Sequence, residues 1–317
     1  MLYLNAKTID EIANLDDFLQ AVELAYDIEQ KHEFHQPDRL HVNHDDTTLL
    51  YMPCFAGSVF GTKMLSIVPK NADKNLPVIN GFVFLNDEET GNPLALIDGG
   101  TLTAYRTGAV GGVGIRHTVP ENVETLGLVG TGLQGYYQIL YACHVRNFKT
   151  IYLYNRTLEK AAQFSKKLIK KFPNIDIKIA ENINELTQKS EVIITATSSS
   201  DPVLPDDVNL LKNKHLIAIG SYTPDMRELP KAVFESVNTI YTDTLFAKQE
   251  SGDLSIPLKE HWIKDSQIKS FSEALDHRGI SNDTTLFKSV GMGLFDLIVA
   301  DTLYKKAKEK GAGQHLD

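Results

Sequence analysis

An α/β fold, in which a parallel, doubly wound sheet follows an α+β region, is what three features of the sequence predict. The first is a glycine turn, Gly130-x-Gly132-x-x-Gly135, set between a short apolar run and a helical repeat. The second is the alternation of apolar β-type runs with helical patterns from about Pro120 onward. The third is a series of short β-rich segments between Arg39 and Ile97, broken by Gly, Pro, Asn and Asp, which reads as a mostly antiparallel sheet.

Taken in order, residues 14–31 carry Leu15, Phe18, Leu19, Val22, Leu24 and Ala25 as an apolar helical stripe with an acidic opposite face. The segments LHVNH, TLLYMPCF, VFGTKMLSIV and INGFVFLN are then the expected antiparallel strands. Residues 86–92 form the hairpin turn, with Gly91 in the left-handed conformation. A Gly- and Ala-rich helix starts near Thr101, its small residues implying close backbone packing. Parallel strands are expected at 126–129, 151–154, 175–180, 192–196 and 216–219, with helices near 133–147, 158–171 and 183–189. A strand at 239–242 extends the sheet. Residues 286–310 read as one long helix with Leu294, Leu297 and Ile298 on one face and Asp301 interrupting it. This helix returns to the first domain. The expected division is 1–119 joined by a C-terminal helix 294–317, and 120–293.

The glycine turn carries the first functional expectation. In a strand–turn–helix setting Gly130 takes the turn, Gly132 lets the backbone approach a pyrophosphate, and Gly135 packs the helix close to its strand. The Rossmann dinucleotide site expected here comprises Gly130, Thr131, Gly132, Leu133, Gln134 and Gly135, with the pyrophosphate at the helix N-terminus. Thr197 and Ser198 join it, because loops at the carboxyl ends of such strands lie on the ligand side. NAD-binding units place an acid roughly 20 residues past the fingerprint. Here the chain reads Asn155, Arg156, Thr157. No carboxylate repels a 2′-phosphate and Arg156 offers a planar fork of donors, so NADP(H) is the preferred cofactor and NAD(H) the alternative. The competing reading is that Asn155 and Thr157 only cap the next helix.

Composition limits the partners. With 317 residues, 42% hydrophobic and 23% charged, the chain suits a soluble protein of two domains. A net charge of −9 without a long basic stripe argues against nucleic acid. No run approaches about 18 apolar residues and no signal-peptide plan opens the chain, so a cytoplasmic location and no membrane partner are expected. Cys54 and Cys143 exclude a disulfide framework. His32, His35, His41 and His44 lack an accompanying acid or thiol set, and no metal is expected.

Five passages then resemble one family. PDRLH at 37–41, GTKM at 61–64, DGGTLTAYRTGA at 98–109, the GTGLQG turn and TLFKSVGMG at 285–293 are similar to the ornithine cyclodeaminase and mu-crystallin family. The resemblance implies a substrate-binding and dimerisation domain beside a Rossmann domain, and a homodimer. It implies an oxidoreductase or cyclodeaminase acting on small imino or amino acids. Arg39, Lys63 and Arg106 match the positions that hold the substrate carboxylate, a grouping that bidentate arginines and a compact ammonium suit. Lys288, Ser289 and Gly291 fall where the family places a loop near the nicotinamide.

GSYTPDMREL, at 220–229, departs from the cyclodeaminases. Where they have an aspartate two residues after the glycine, this chain has Tyr222, while Asp225 and Glu228 resemble the ketimine and pyrroline-2-carboxylate reductase branch. Asp225 and Glu228 also read as a capping box. The expected activity is NAD(P)H-dependent reduction of the C=N bond of a cyclic imino acid. Lys63, Asp225 or Glu228 supplies or stabilises the proton, and Lys63 is preferred. Ornithine cyclodeamination with bound NAD is the first alternative. Nucleotide binding without turnover, as in a crystallin, is the second.

Overall fold

The computed structural model describes residues 1–74, 76–277, 280 and 283–316. It separates into two compact units, Met1–Ala109 with Met292–Asp317, and Val110–Gly291.

The first unit opens with β1 (Leu2–Leu4), α1 (Ala6–Ile12) and α2 (Leu15–Gln30). Asn5 and Asn14 start the helices by accepting from Thr8 N and Asp16 N, which satisfies amides that a helix leaves unpaired. Then come β2 (Phe34–His35), β3 (Leu40–His44), β4 (Thr47–Ala56), β5 (Val59–Ile67), β6 (Ile79–Asp87) and β7 (Pro93–Asp98), followed by α3 (Gly99–Thr118). Strands β3 to β7 pair antiparallel, while β1 joins β7 in parallel. The expected turn after β6 is present, with Gly91 at φ +69° and Asp87 Oδ1 accepting from Thr90 N.

The second unit alternates strand and helix. It runs β8 (Thr125–Val129), α4 (Leu133–Val145), β9 (Thr150–Tyr154), α5 (Leu158–Lys171), β10 (Asp176–Ile179), α6 (Ile183–Lys189) and β11 (Val192–Thr195). It continues through α7 (Val208–Leu211), β12 (His215–Ala218), α8 (Lys231–Ser236), β13 (Ile240–Thr242), α9 (Ala247–Glu250) and α10 (Gly252–Lys259). It closes with β14 (Ile268–Ser270), α11 (Ser272–His277) and β15 (Thr285–Lys288). All strand pairs are parallel, in the order β10-β9-β8-β11-β12-β15-β13-β14. The order reverses between β8 and β11, which is where ligands bind in open α/β sheets. The expected fold class is therefore the observed one: one unit with a doubly wound parallel sheet and one α+β unit.

The region read as a single helix over 286–310 is different. Residues 285–288 form β15, and only after a short link does α12 (Gly293–Lys310) begin, so Lys288 and Ser289 open no helix. TLFK has four residues, two of them apolar (Leu286 and Phe287), too few for periodicity to separate strand from buried helix, and β12 and β13 pair with it on either side. The helix expected to reach 317 stops at Gly311, φ +61°, and β16 (Gln314–His315) then pairs with β1; residue 317 lies outside the described residues. The two-unit division falls within α3, at Ala109, rather than after it at 119.

Helix α12 is the core of the first unit. It packs on α2, β4, β5 and β6, burying Leu294, Phe295, Leu297, Ile298 and Leu303, with the Phe295 ring edge-on to Tyr26 at 5.0 Å. Burial on more than one face explains why a narrow apolar stripe misdescribes it. Gln36 fixes its start by accepting from Leu294 N at 2.9 Å.

In the second unit, Arg146 ends α3. Its guanidinium donates to the carbonyls of Ile115, Arg116, Val119, Pro120 and Val145 at 2.7 to 3.3 Å, satisfying acceptors that a helix C-terminus leaves free. Arg146→Met is expected to destabilise the protein by about 2–4 kcal/mol, because buried carbonyls lose charge-assisted donors. A thermal unfolding midpoint equal to wild type would contradict this.

Candidate active site and nucleotide cradle

In the first unit, the alternation of β5 decides where Lys63 points. Val59, Gly61, Lys63 and Leu65 face inward, and opposite them stand Cys54 and Met52 of β4. An ammonium on an apolar face needs a counter-charge. Asp296, in the first turn of α12, provides it: Lys63 Nζ lies 2.6 Å from Asp296 Oδ2, and Arg106 Nε of α3 lies 3.0 Å from Oδ1. The Lys63 and Asp296 side chains are each 2% exposed and Arg106 is 8% exposed.

The electrostatics follow from this packing. Burial pushes the Lys63 ammonium from its ordinary range down to about 8; Arg106 and Arg39 add to the fall and Asp296 opposes it. Burial disfavours the Asp296 carboxylate, yet the Arg106 and Lys63 cations outweigh burial and hold its pKa below the ordinary value. Arg39, itself half-buried just before β3, acts on both groups. Two paired cations against one carboxylate leave one positive charge among these three groups, with Arg39 close enough to act on both Lys63 and Asp296. Such a set has room for one substrate carboxylate.

The structure thus brings Lys63, Arg106 and Arg39 together. It also introduces Asp296, which sequence reasoning missed; its signal was a lone acid inside the apolar run GLFDLIVA. The four histidines are exposed, and among the described residues no group of three or more His, Cys, Asp or Glu could hold a metal. Cys54 and Cys143 are free, and burial pushes both thiols up to about 12.

The second unit carries the glycine turn at the end of β8. Gly130 has φ +101°, and an added Cβ would sit 2.5 Å from Ala196 O; at Gly135 it would sit 2.3 Å from Gly130 O. Gly132 differs. Its φ is ordinary, −93°, and an added Cβ would meet nothing within 4 Å. Space beside the N-terminus of α4 is what a pyrophosphate requires. Leu133 is 62% exposed there, and Thr131 Oγ1 and Gln134 Oε1 are buried without a hydrogen-bond partner among the described residues. These features fit a dinucleotide.

At the end of β9, Asn155 links two loops: its Oδ1 accepts from Thr131 N at 3.3 Å and its Nδ2 donates to Thr157 O at 3.0 Å. Thr157 is the backbone N-cap of α5, without a side-chain cap bond. Arg156 is exposed.

Glu228 ties the ends of β11 and β12. Oε1 accepts from Thr197 N and Oγ1, both at 2.7 Å, and Oε2 from Thr195 Oγ1 and Gly220 N, both at 2.8 Å. Burial pushes its carboxyl upward, with Lys288 opposing and Asp253 assisting. Asp253 Oδ1 accepts from Glu228 N and Leu229 N, and its Oδ2 lies 3.3 Å from Lys288 Nζ, which donates to Ser221 O. All three charged residues are fully buried. Asp225 is exposed and accepts from Thr223 Oγ1. Neither acid caps α8, whose N-cap is Pro230, so no capping box forms. Ser198 is exposed after β11. Gly291, φ +77°, donates its N–H to the buried Asp243, which also accepts from Ser289 Oγ.

A Δ1-pyrroline-2-carboxylate reductase of Bacillus cereus is 34% identical, with all of both chains covered. The structure of the Thermococcus litoralis Δ1-pyrroline-2-carboxylate reductase, in complex with NADH and L-proline, is 31% identical over the whole of both chains, with a TM-score of 0.93. The rat ketimine reductase mu-crystallin is 27% identical over 80% of this chain and 78% of its own. Relatives of this kind are oxidoreductases acting on C=N bonds. With the ornithine cyclodeaminase/mu-crystallin family matched over residues 1–311, the chain belongs to that family.

Proposed function

We propose that the protein is an NAD(P)H-dependent oxidoreductase that reduces the C=N bond of a small cyclic imino acid, pyrroline-2-carboxylate or a similar ketimine, to the cyclic amino acid. The observation that carries this reading is the buried Lys63–Asp296–Arg106 group with Arg39 beside it, in a chain whose reductase relative matches it end to end.

Arg106 and Arg39 hold the α-carboxylate, whose planar oxygens suit guanidinium pairs. The reduced nicotinamide, when bound, supplies the hydride. The hydride forms the new C–H bond at the imine carbon, the C=N π pair passes to nitrogen, and the cofactor leaves oxidised. Lys63 supplies the proton on that nitrogen, since its ammonium is poised near neutral pH and the iminium is the better acceptor. The Glu228 oxygens are filled by four donors, which supports a role in shaping the turns after β11 and β12 rather than in proton transfer. Orientation is the main rate effect, worth several kcal/mol, about 7 or more in the best cases.

Gly130 to Gly135, Asn155, Thr197 and Ser198, with Lys288 and Gly291 shaping the loop after β15, hold the dinucleotide in this reading. NADPH is the preferred cofactor, because Asn155, Arg156 and Thr157 place no carboxylate at the end of β9; the Thermococcus relative holds NADH. We assign the first unit to substrate binding and to a homodimer. The outer face of its sheet exposes Leu40, Val42, Leu49, Phe55 and Met64, an apolar surface that a second copy would cover. No helix among the described residues is long and apolar enough to cross a membrane, and free thiols suit the reducing cytoplasm.

The test is absorbance at the reduced-nicotinamide band, with NADPH and NADH each against pyrroline-2-carboxylate, piperideine-2-carboxylate, pyruvate plus ammonia, and ornithine. Net NADPH oxidation with a cyclic imino acid is expected, and Arg156→Ala should reduce the preference for NADPH over NADH. Proline and ammonia from ornithine without net cofactor turnover would instead identify a cyclodeaminase. Nucleotide binding with no turnover on the panel would identify a crystallin-like binder.

A further inference from the structure

We propose that Asp296 is a positioning residue for the reduction: it holds the Lys63 ammonium where the substrate nitrogen must be protonated and aims the Arg106 guanidinium at the substrate carboxylate. The inference rests on the function proposed above, and it adds a residue that touches neither substrate nor hydride.

The geometry supports the assignment. Asp296 divides its two oxygens between the two cations, Oδ2 to Lys63 and Oδ1 to Arg106 Nε. The Arg106 contact to Asp296 is through Nε alone, and in this proposal the terminal nitrogens form the donor pair for the substrate carboxylate. Lys63 comes from β5, Arg106 from α3 and Asp296 from α12, so the carboxylate joins three elements at one point. Its position in the first turn of α12, with Gln36 holding the adjoining Leu294 amide, fixes it further. The titratable and charged groups facing it are Lys63, Arg106, Arg39 and the Cys54 thiol, which feels its charge. A carboxylate in such company does not aid the binding of an anion. Its value lies in orientation and in keeping Lys63 charged against the two arginines.

The sign of the pH effect follows. Lys63 must be protonated to act as the acid, so the reduction rate falls as pH rises through about 8. Asp296 raises the affinity of Lys63 for its proton, hence its neutralisation moves that fall toward lower pH.

Asp296→Asn keeps the shape and removes the charge. Expected for this variant are a kcat at least tenfold lower, a substrate KM within threefold of wild type, unchanged NADPH affinity, and a descending limb of the kcat–pH profile moved at least one unit to the acid side. Asp296→Glu keeps the charge but displaces it, and should lower kcat while leaving the limb near its wild-type pH. An asparagine variant with kcat within threefold of wild type, or with an unmoved limb, overturns the proposal. So does loss of the fold in both variants, which assigns Asp296 to stability alone. Binding of pyrrole-2-carboxylate, a flat carboxylate that cannot be reduced here, gives a readout without turnover. Calorimetry in buffers of different ionisation enthalpy should show proton uptake by Lys63 near pH 8 in wild type and at lower pH in the asparagine variant. Absence of wild-type turnover with every imino acid sinks the functional reading, whereas uptake that ignores the Asp296 substitution sinks this one.

Discussion

Arg106→Ala is expected to lower kcat/KM for the imino acid by at least about 100-fold while leaving NADPH affinity within about twofold, the former being roughly 2.7 kcal/mol of transition-state stabilisation. The loss has two sources. The substrate carboxylate loses its bidentate partner, and the Asp296 carboxylate, now held by Lys63 with Arg39 nearby, draws the ammonium toward itself. Arg106→Lys should recover little, because a point charge does not reproduce a planar fork. Steady-state kinetics beside a fluorescence titration of NADPH separate the outcomes. Equal weakening of turnover and nucleotide binding would show that Arg106 supports the fold as a whole and not the substrate.

The second large effect is expected at the glycine turn, where two alanine substitutions should part company. Gly130→Ala puts a side chain at φ +101° with its Cβ 2.5 Å from Ala196 O, so strain of order 1–3 kcal/mol and displacement of the β8 and β11 ends should lower stability and binding together. Gly132→Ala meets neither obstacle, since its φ is ordinary and the space is open. It should unfold at the wild-type temperature yet bind NADPH at least tenfold more weakly, because the methyl occupies the approach of the pyrophosphate. A Gly132→Ala protein with unchanged nucleotide affinity would mean that the open space serves nothing.

These substitutions also mark what the sequence made legible. The GTGLQG turn announces itself because strand, turn and helix are contiguous, and its conformational demand is local. Lys63, Arg106 and Arg39 were recoverable through the GTKM, DGGTLTAYRTGA and PDRLH passages. Their partner was not. Asp296 lies 233 residues from Lys63 in the chain, and only the packing of α12 against β5 brings the two together. Read locally, it is an acid that spoils an apolar stripe. Glu228 shows the converse: its carboxylate was visible as a candidate acid, but its four donors come from residues 195, 197 and 220, a pairing that the parallel register of β11 and β12 creates. The strand Thr285–Lys288 escaped for a third reason, since a four-residue segment running into a helical pattern carries no period of its own.

The discontinuity of the first unit bears on how the protein is made. As the ribosome delivers the chain, residues 110–291 are continuous and can complete their sheet as they emerge, whereas the antiparallel sheet made earlier waits for α12, the last long helix, to cover Leu50, Met52, Val83 and Leu85. Throughout that interval Lys63 and Arg106 lack their counter-ion. A nascent chain arrested before residue 292 should therefore be a client for chaperones, and supplying the missing segment in trans should restore its solubility.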